Sequence, residues 1–395
     1  MTCVFAGGDL LSVELPRKEG REKDKHMDVM DEREGVITSS TRRDDSNPWG
    51  VERLRRFFSI WQLLVVGNVM MVLLCLGFAP FTSAAELVQP FYSRNVSPFV
   101  QIYGLPAAED ASLASQGKLE TRLIYEIANN YTDSTVQQER IVIRGETSST
   151  VLSLRYGLRD SLEIGVDLPY LSHSEGDLND FIYDWHDFFG MPQGSRSETA
   201  DDRLNYRYTQ NGTDLVAVSG SASGIGDVLL SAALPLWNSG EEETQKVSVR
   251  AALKLPTGSS SDLLGSGSTD FSVRLNGEDR QAFASEKIAC FGSLGVLLMT
   301  EGDVLPERQR KVVGFGSVGL GWQPLSMLAL QLQLDGHSAF YDSELKQLGD
   351  FAAQLVIGGT LGLPADFMLD LAVSEDIIVD TAPDVVFHLA LRRFF

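Results

Sequence analysis

His337 is the residue of this chain best placed to do chemistry. It closes the run Gln331-Leu-Gln-Leu-Asp-Gly-His337, with Ser338, Tyr341 and Asp342 just beyond. A hydrolase would need a Ser–His pair with an orienting polar group. His337 and Ser338 are adjacent, so on a strand they point to opposite faces and cannot pair. The nucleophile would have to come from another strand, as Ser172 or Ser174. No Gly-x-Ser-x-Gly surrounds Ser293 or Ser317, and Leu255-Pro-Thr-Gly-Ser-Ser-Ser261 lacks the lysine of a phosphate loop. Beyond residue 85 the one cysteine is Cys290, which excludes an intramolecular disulfide there and argues against a thiolate metal cluster. No complete nucleophile–base constellation is legible, so the reading is a non-enzyme with no catalytic residue, metal or cofactor.

A second pattern is more extensive. Polar and charged residues recur at every second position of apolar segments. The candidate ligand-facing set is Arg122, Arg155, Glu163, Asp167, Arg250, Lys254, Gln331, Gln333, Asp335 and His337, with Glu120, Glu126, Asp227, Arg274 and Asp370 on the same faces. Such mixed charges either close an interior by mutual ion pairing or line a narrow pore whose charge rings select solutes.

The elements that must carry them are strands. Leu119, Thr121, Leu123, Tyr125 and Ile127 oppose Glu120, Arg122 and Glu126. Leu328, Leu330, Leu332 and Leu334 oppose Gln331, Gln333 and Asp335. Period two with a charged second face is the pattern of a strand between lipid and a polar lumen. Short connections such as Trp322–Leu325 and Leu363–Asp366 alternate with long ones such as Thr257–Gly267 and Thr300–Arg310. Membrane barrels have short periplasmic turns, long external loops and an even strand number. The tally predicts an all-β, antiparallel up-and-down membrane barrel over residues 118–395 of about twelve strands, within a range of ten to fourteen. Its weakest points are 138–158, which could split at Gly145, and the glycine-rich 311–322.

Both ends of the chain fit this destination. Val385, Phe387, Leu389, Leu391 and Phe395 share one face of a final strand, broken by Arg393. A strand ending on an aromatic suits barrel closure and is the ending that barrel-assembly machinery favours, so those apolar residues are the expected contact with it. Arg53, Arg55 and Arg56 precede an apolar run from Ile60 to Phe78, then Ser83-Ala84-Ala85. This reads as a signal peptide over 53–85, cleaved near Ala85, with a retained membrane helix as the alternative. Residues 1–52 are charged and aperiodic, a disordered extension or an over-long reading of the start. The net charge of −21 lies almost entirely beyond residue 85. It argues against nucleic acid and is compatible with acidic loops facing divalent cations at a lipopolysaccharide surface.

Two stretches lie off the ladder. Residues 86–117 form either a periplasmic lead-in or a segment folded into the lumen; chain ends are usually loose, which makes the lead-in the expectation. Ser172 to Ser223 is the longest loop, and Phe181, Trp185, Phe188 and Phe189 recur there at helical spacing. They predict one short amphipathic helix that either caps the pore mouth or packs on its own loop.

Five segments resemble a family of Gram-negative outer-membrane proteins known as domain of unknown function 3187. They are Arg155–Tyr170, Phe188–Gly194, Leu255–Gly258 with Gly265–Asp270, Gly336–Asp342 and Ala372–Asp376, and the resemblance spans Glu86 to Phe395. It implies a membrane barrel and no activity. The combined reading is a passive channel or transporter for small polar or amphipathic solutes in the Gram-negative outer membrane. Its alternatives are a closed structural or partner-binding barrel and, less favoured, a lipid-acting enzyme. A folded barrel of this kind shifts on a gel when boiled and fractionates with the outer membrane; no shift and absence from that membrane would refute it.

Overall fold

Residues 87–176, 203–240, 244–378 and 380–395 are described in a computed structural model. The strands are β1 (Leu119–Val136), β2 (Glu139–Arg159), β3 (Leu162–Ser174), β4 (Asn205–Gln210), β5 (Thr213–Val218), β6 (Ala222–Ile225), β7 (Val228–Asn238) and β8 (Gln245–Leu255). They continue with β9 (Asp270–Asp279), β10 (Ile288–Met299), β11 (Val312–Leu325), β12 (Leu328–His337), β13 (Ala352–Leu363), β14 (Phe367–Asp376) and β15 (Val385–Phe394). Twelve of them close an antiparallel barrel. β3 pairs with β7, and β15 closes the ring against β1, with Glu120 opposite Phe394 and Asn129 opposite Val385. Closure leaves no strand edge, which is what lets a sheet cross hydrocarbon.

The remaining three strands belong to the long loop. β4 adds to the free upper part of β2, β5 pairs with β4, and β6 pairs with β3. β1 and β2 extend as a hairpin beyond the barrel rim to a tight turn at Gln137, where φ is +52°. Asp133 braces that hairpin through Arg140 and Arg144 at 3.1 and 2.9 Å. β2 does not split at Gly145. It bends there at φ +130°, where a Cβ would meet Leu204 and the Ser174 carbonyl. The predicted helix around Phe181, Trp185, Phe188 and Phe189 lies outside the described residues, as do the extension 1–52 and the signal segment 53–85. Among the described residues the one α-helical turn is Lys346–Gly349.

The wall alternates as its sequence does. Leu123, Tyr125, Leu332, Leu371 and Leu389 are exposed, while Arg122, Glu126, Gln333, Asp370 and His388 are buried. The exposed set forms an apolar belt, and the buried set faces inward, as a membrane-spanning barrel requires. Arg393, which interrupts the outward face of β15, lies over the rings of Phe367 and Phe395 at 4.9 and 4.6 Å. Cation–π contact of this kind lets a guanidinium sit among aromatics at a membrane rim.

Residues 87–117 are not a loose lead-in: they run inside the barrel. Leu87 and Gln89 meet Arg392 near the short-turn end. The chain then climbs past Gln333, Asp335 and His337 and turns at Ser97–Tyr103. It descends past Asp270 and Glu163 to Gly157 of β2. The physical reason is the interior itself. A barrel of about twelve strands is too wide for its own side chains to fill, and its polar inner face must find partners. The turn inserts Phe99, Ile102 and Tyr103 into an apolar cap made by Tyr206, Tyr208, Phe340, Tyr341 and Leu345 of the long loops. Full burial of Phe99 or Ile102 contributes about 1.5–3 kcal/mol each.

The foot of this segment touches backbone. A Cβ on Gly157 would lie 2.1 Å from the Ser115 carbonyl. Gly157→Val is therefore expected to dislodge residues 114–117 while leaving the barrel closed. Limited proteolysis of refolded protein should show cleavage between residues 87 and 117 only in the variant; equal resistance would refute the tight docking.

Candidate functional site

The inner surface of the barrel and the segment threaded through it form one polar site. Its centre is Glu109, a residue that the strand pattern does not reveal because it lies off the strands. Its carboxylate contacts three guanidinium groups: Arg155 of β2 at 2.8 Å, Arg250 of β8 at 2.9 Å and Arg274 of β9 at 3.0 Å. Arg155 also holds Asp167 of β3 at 2.6 Å, and Arg250 holds Glu163 at 2.6 Å. Three cations and three carboxylates are thus matched in a buried cluster. Alternation places each arginine on the inward face of its own strand, and register brings neighbours level: Arg155 lies opposite Gly165, and Arg250 opposite Arg274. Gly165 leaves the space, since a Cβ there would lie 2.6 Å from the Arg155 side chain.

Lys254 forms a second knot below the cap. Its Nζ reaches Asp227 at 2.5 Å, Asp270 at 3.2 Å and Ser266 at 2.5 Å, and donates to the Ile102 carbonyl at 3.1 Å. Gly104 N–H donates to Asp270 at 2.7 Å. This lysine therefore binds the turn of the inserted segment to β7, β8 and β9. At the opposite end Arg122 pairs with Glu120 at 2.6 Å, and Arg392 sits 3.6 Å from Asp370 while bonding Gln89. Beyond the strand ends Arg280 meets Ser112 and Glu278 at 2.9 and 3.2 Å. Burial, reinforced by the nearby Arg392 guanidinium, lowers it to about 10.

The β12 residues line up against the ascending arm. Gln333 Oε1 accepts from Phe91 N–H at 2.9 Å. Asp335 accepts from Ser93 Oγ at 2.6 Å and from Gln333 at 2.9 Å. His337 Nε2 lies 3.0 Å from the Asn95 amide nitrogen, and its Nδ1 lies 3.0 Å from the Ser338 carbonyl. Both ring nitrogens are thus engaged, and the Ser338 hydroxyl accepts from Gly314 N–H instead. Gln331 bonds Thr360 at 2.9 Å. His173 is held by Thr147 and the Leu263 carbonyl, and His388 by Glu126 at 3.1 Å. Among the described residues no histidine bonds a serine hydroxyl.

All ten strand residues read as lumen-facing lie on the inner face, nine of them as partners of the inserted segment or of one another and Gln331 as a partner of Thr360. Tyr92 donates to Asp167 at 2.6 Å, and Glu163 accepts from Ala114 N–H at 2.6 Å. Three cavities lie between segment and wall, of about 30, 20 and 10 Å³. One water needs about 10–15 Å³ by this measure. Among the described residues, these cavities each hold no more than about two water-sized groups.

Removing Glu109 leaves Arg274 without a carboxylate and takes one of two from Arg155 and Arg250, and breaking a buried pair in this way costs ~3–5 kcal/mol. Glu109→Gln should lower the denaturant midpoint of the lipid-embedded protein accordingly. An unchanged midpoint would mean that the cluster does not hold the segment.

Residues 68–395 match the family described as Protein of unknown function (DUF3187). No curated protein matches the chain. Among solved structures, an outer membrane channel from Pseudomonas putida F1 is similar at 14% identity and TM-score 0.48, covering 72% of this chain and 98% of that one. The toluene transporter TbuX of Ralstonia pickettii is similar at 10% identity and TM-score 0.35, covering 71% and 90%. The toluene transporter TodX of P. putida is similar at 10% identity and TM-score 0.32, covering 70% and 87%.

Proposed function

The chain belongs to the DUF3187 family, and from that premise we propose that it is an outer-membrane channel held shut by its own N-terminal segment. When residues 87–117 shift, the lumen passes small polar or amphipathic solutes. One observation carries this reading. The segment crosses the whole interior, yet its one backbone bridge to the wall is Gln116 to Gly157 at its foot. Elsewhere its apolar residues pack on the wall and the cap, and its polar attachments are ion pairs and hydrogen bonds to side chains, among them Phe91 to Gln333 and Gly104 to Asp270. Water can replace such contacts one by one, whereas a β-ladder yields as a unit. The polar wall then becomes the lining of a conduit, with Arg155, Arg250, Lys254 and Asp335 exposed to the solute. The closed structural barrel is the second reading, and the filled interior favours it for as long as the segment stays in place.

Planar-bilayer recordings separate the two. The unmodified protein should conduct rarely or briefly. Glu109→Ala, which frees the segment from three arginines at once, should raise the open fraction by an order of magnitude or more, as a loss of roughly 3 kcal/mol implies. If neither protein conducts while both run as folded, heat-modifiable barrels, the channel is refuted and the structural reading stands.

A further inference from the structure

The 10 Å³ cavity lies at the long-loop end, where separate elements meet. The β1–β2 hairpin brings Asn130 and Thr132 to it, the β12–β13 loop brings Gln347, and the β14–β15 loop brings Asp380 and Asp384. Ser97, from the turn of the inserted segment, lines it as well. None of the lumen ion pairs reaches this place. No lysine, arginine or histidine lines the cavity, although two of its side chains are carboxylates.

Its oxygens lack donors. The Asp380 N–H donates to Asp376 at 2.9 Å, but the Asp380 carboxylate has no hydrogen bond or ion pair among the described residues. Gln347 is only 8% exposed. Its Nε2 donates to Ser134 Oγ at 3.0 Å, which leaves Oε1 buried with no donor. A buried acceptor without a donor is costly, and an ionised carboxylate cannot relieve it, because it only accepts. One water donating to these oxygens leaves both negative charges unmatched, whereas one divalent cation matches both. The space suits a single water-sized group, and so a single ion. Among the described residues no group of three or more His, Cys, Asp or Glu side chains can hold a metal, so a cation here must also draw on neutral oxygens. Carboxylate, amide and water oxygens in flexible geometry are the ligand chemistry of calcium; magnesium demands a near-ideal octahedron and sheds water reluctantly.

We propose that Gln347, Asp380 and Asp384 bind a calcium ion that ties the β12–β13 loop to the β14–β15 loop beside the β1–β2 hairpin. The two aspartates supply the charge, Gln347 Oε1 supplies a neutral ligand, and water fills the remaining positions. The β14–β15 loop already grips the inserted segment. The Thr381 carbonyl accepts from Asn95 Nδ2 at 3.1 Å, and Asn95 Oδ1 accepts from Ser97 N–H at 2.9 Å. The ion therefore braces the loop that holds the turn of the segment. Its bearing on gating rests on the channel reading; the binding itself is measured apart from conductance.

Tyr131 lines the cavity, so terbium, which occupies calcium sites and emits when a nearby tyrosine is excited, reports on it. The full-length processed protein, stripped of metal in dioleoylphosphatidylcholine nanodiscs without lipopolysaccharide, is loaded with terbium and titrated with calcium chloride. Calcium should displace the emission with a Kd of about 10⁻⁴–10⁻³ M, the range of extracellular calcium modules, and magnesium should do so more weakly. Asp380→Asn and Gln347→Leu should each weaken calcium at least about tenfold, as loss of a ligand implies. Gln347→Glu, which keeps an oxygen at that place, should retain binding. Asp342→Asn, an exposed acid that does not line the cavity, should change nothing. The shift on boiling checks that each variant folds, and the half-exposed Asp380 keeps the test standing if Gln347→Leu does not fold. No calcium-displaceable emission from the unmodified protein, or an unchanged affinity in a folded Asp380→Asn or Gln347→Leu, overturns the site. An equal loss in Asp342→Asn marks a diffuse acidic surface and overturns it too. A protein that binds calcium as described yet never conducts keeps the site and loses the channel.

Discussion

The structure turns on the need to match charge inside a barrel too wide to fill with its own side chains. Alternation on the strands puts Arg155, Arg250 and Arg274 on the inner face, where neither lipid nor bulk water reaches them. A guanidinium cannot shed its proton, so it needs an anion close by. Wall carboxylates supply part of the match through Asp167 and Glu163. The rest comes from Glu109, carried in on a segment that is no part of the wall. The path of residues 87–117 is therefore written as much in the charges of β2, β8 and β9 as in the segment itself.

The two ends of the interior are held by different physics. Toward the long loops the turn of the segment is buried among Tyr206, Phe340 and Tyr341, with Tyr103 stacked on Phe340 at 5.1 Å. Toward the short turns the polar contacts are Arg392 with Gln89, Arg280 with Ser112, and Gly157 with Gly117, beside a small apolar cluster of Leu87, Ala329 and Met368. The apolar end is insensitive to salt and loses its contacts together. The polar end exchanges with water contact by contact. On the channel reading, a segment so mounted would loosen first from its foot, where its connection to β1 also lies.

The barrel was legible in the sequence because lipid imposes period two on every strand that meets it. Leu328 to Leu334 against Gln331 to Asp335 is such a signal, and loop lengths alone gave the direction of each strand. The inner face was legible for the same reason, down to His337. What occupies it was not. Residues 87–117 show no alternation, since an inserted segment meets wall on every side and buries Phe91, Ser93, Asn95 and Gln101 alike. The nearest thing to a signal was the acidic pair Glu109-Asp110 within an alanine-rich stretch, small residues that let chain pass close to the wall. The hairpin around Tyr206 and Tyr208 was legible as a loop hairpin, but neither its pairing with β2 nor β6 was, because they pair beyond the barrel rim, where no lipid enforces a pattern.

Mixed charge on the inner wall therefore has a cause that precedes any solute. Matching ions across a removable segment comes close to break-even, because the desolvation of each ion offsets most of its attraction. That near-balance is what the proposed gate requires. A segment packed by dry hydrocarbon along its whole length would be fixed, and one with unmatched charges would never enter. Here the largest apolar cluster lies at one end, smaller ones around Leu87, Phe91, Tyr92 and Val96 line the rest of the path, and the polar contacts between them are ion pairs and side-chain hydrogen bonds. The composition of the lumen thus describes a fit to the chain's own residues first. It describes a solute only where that fit leaves something over.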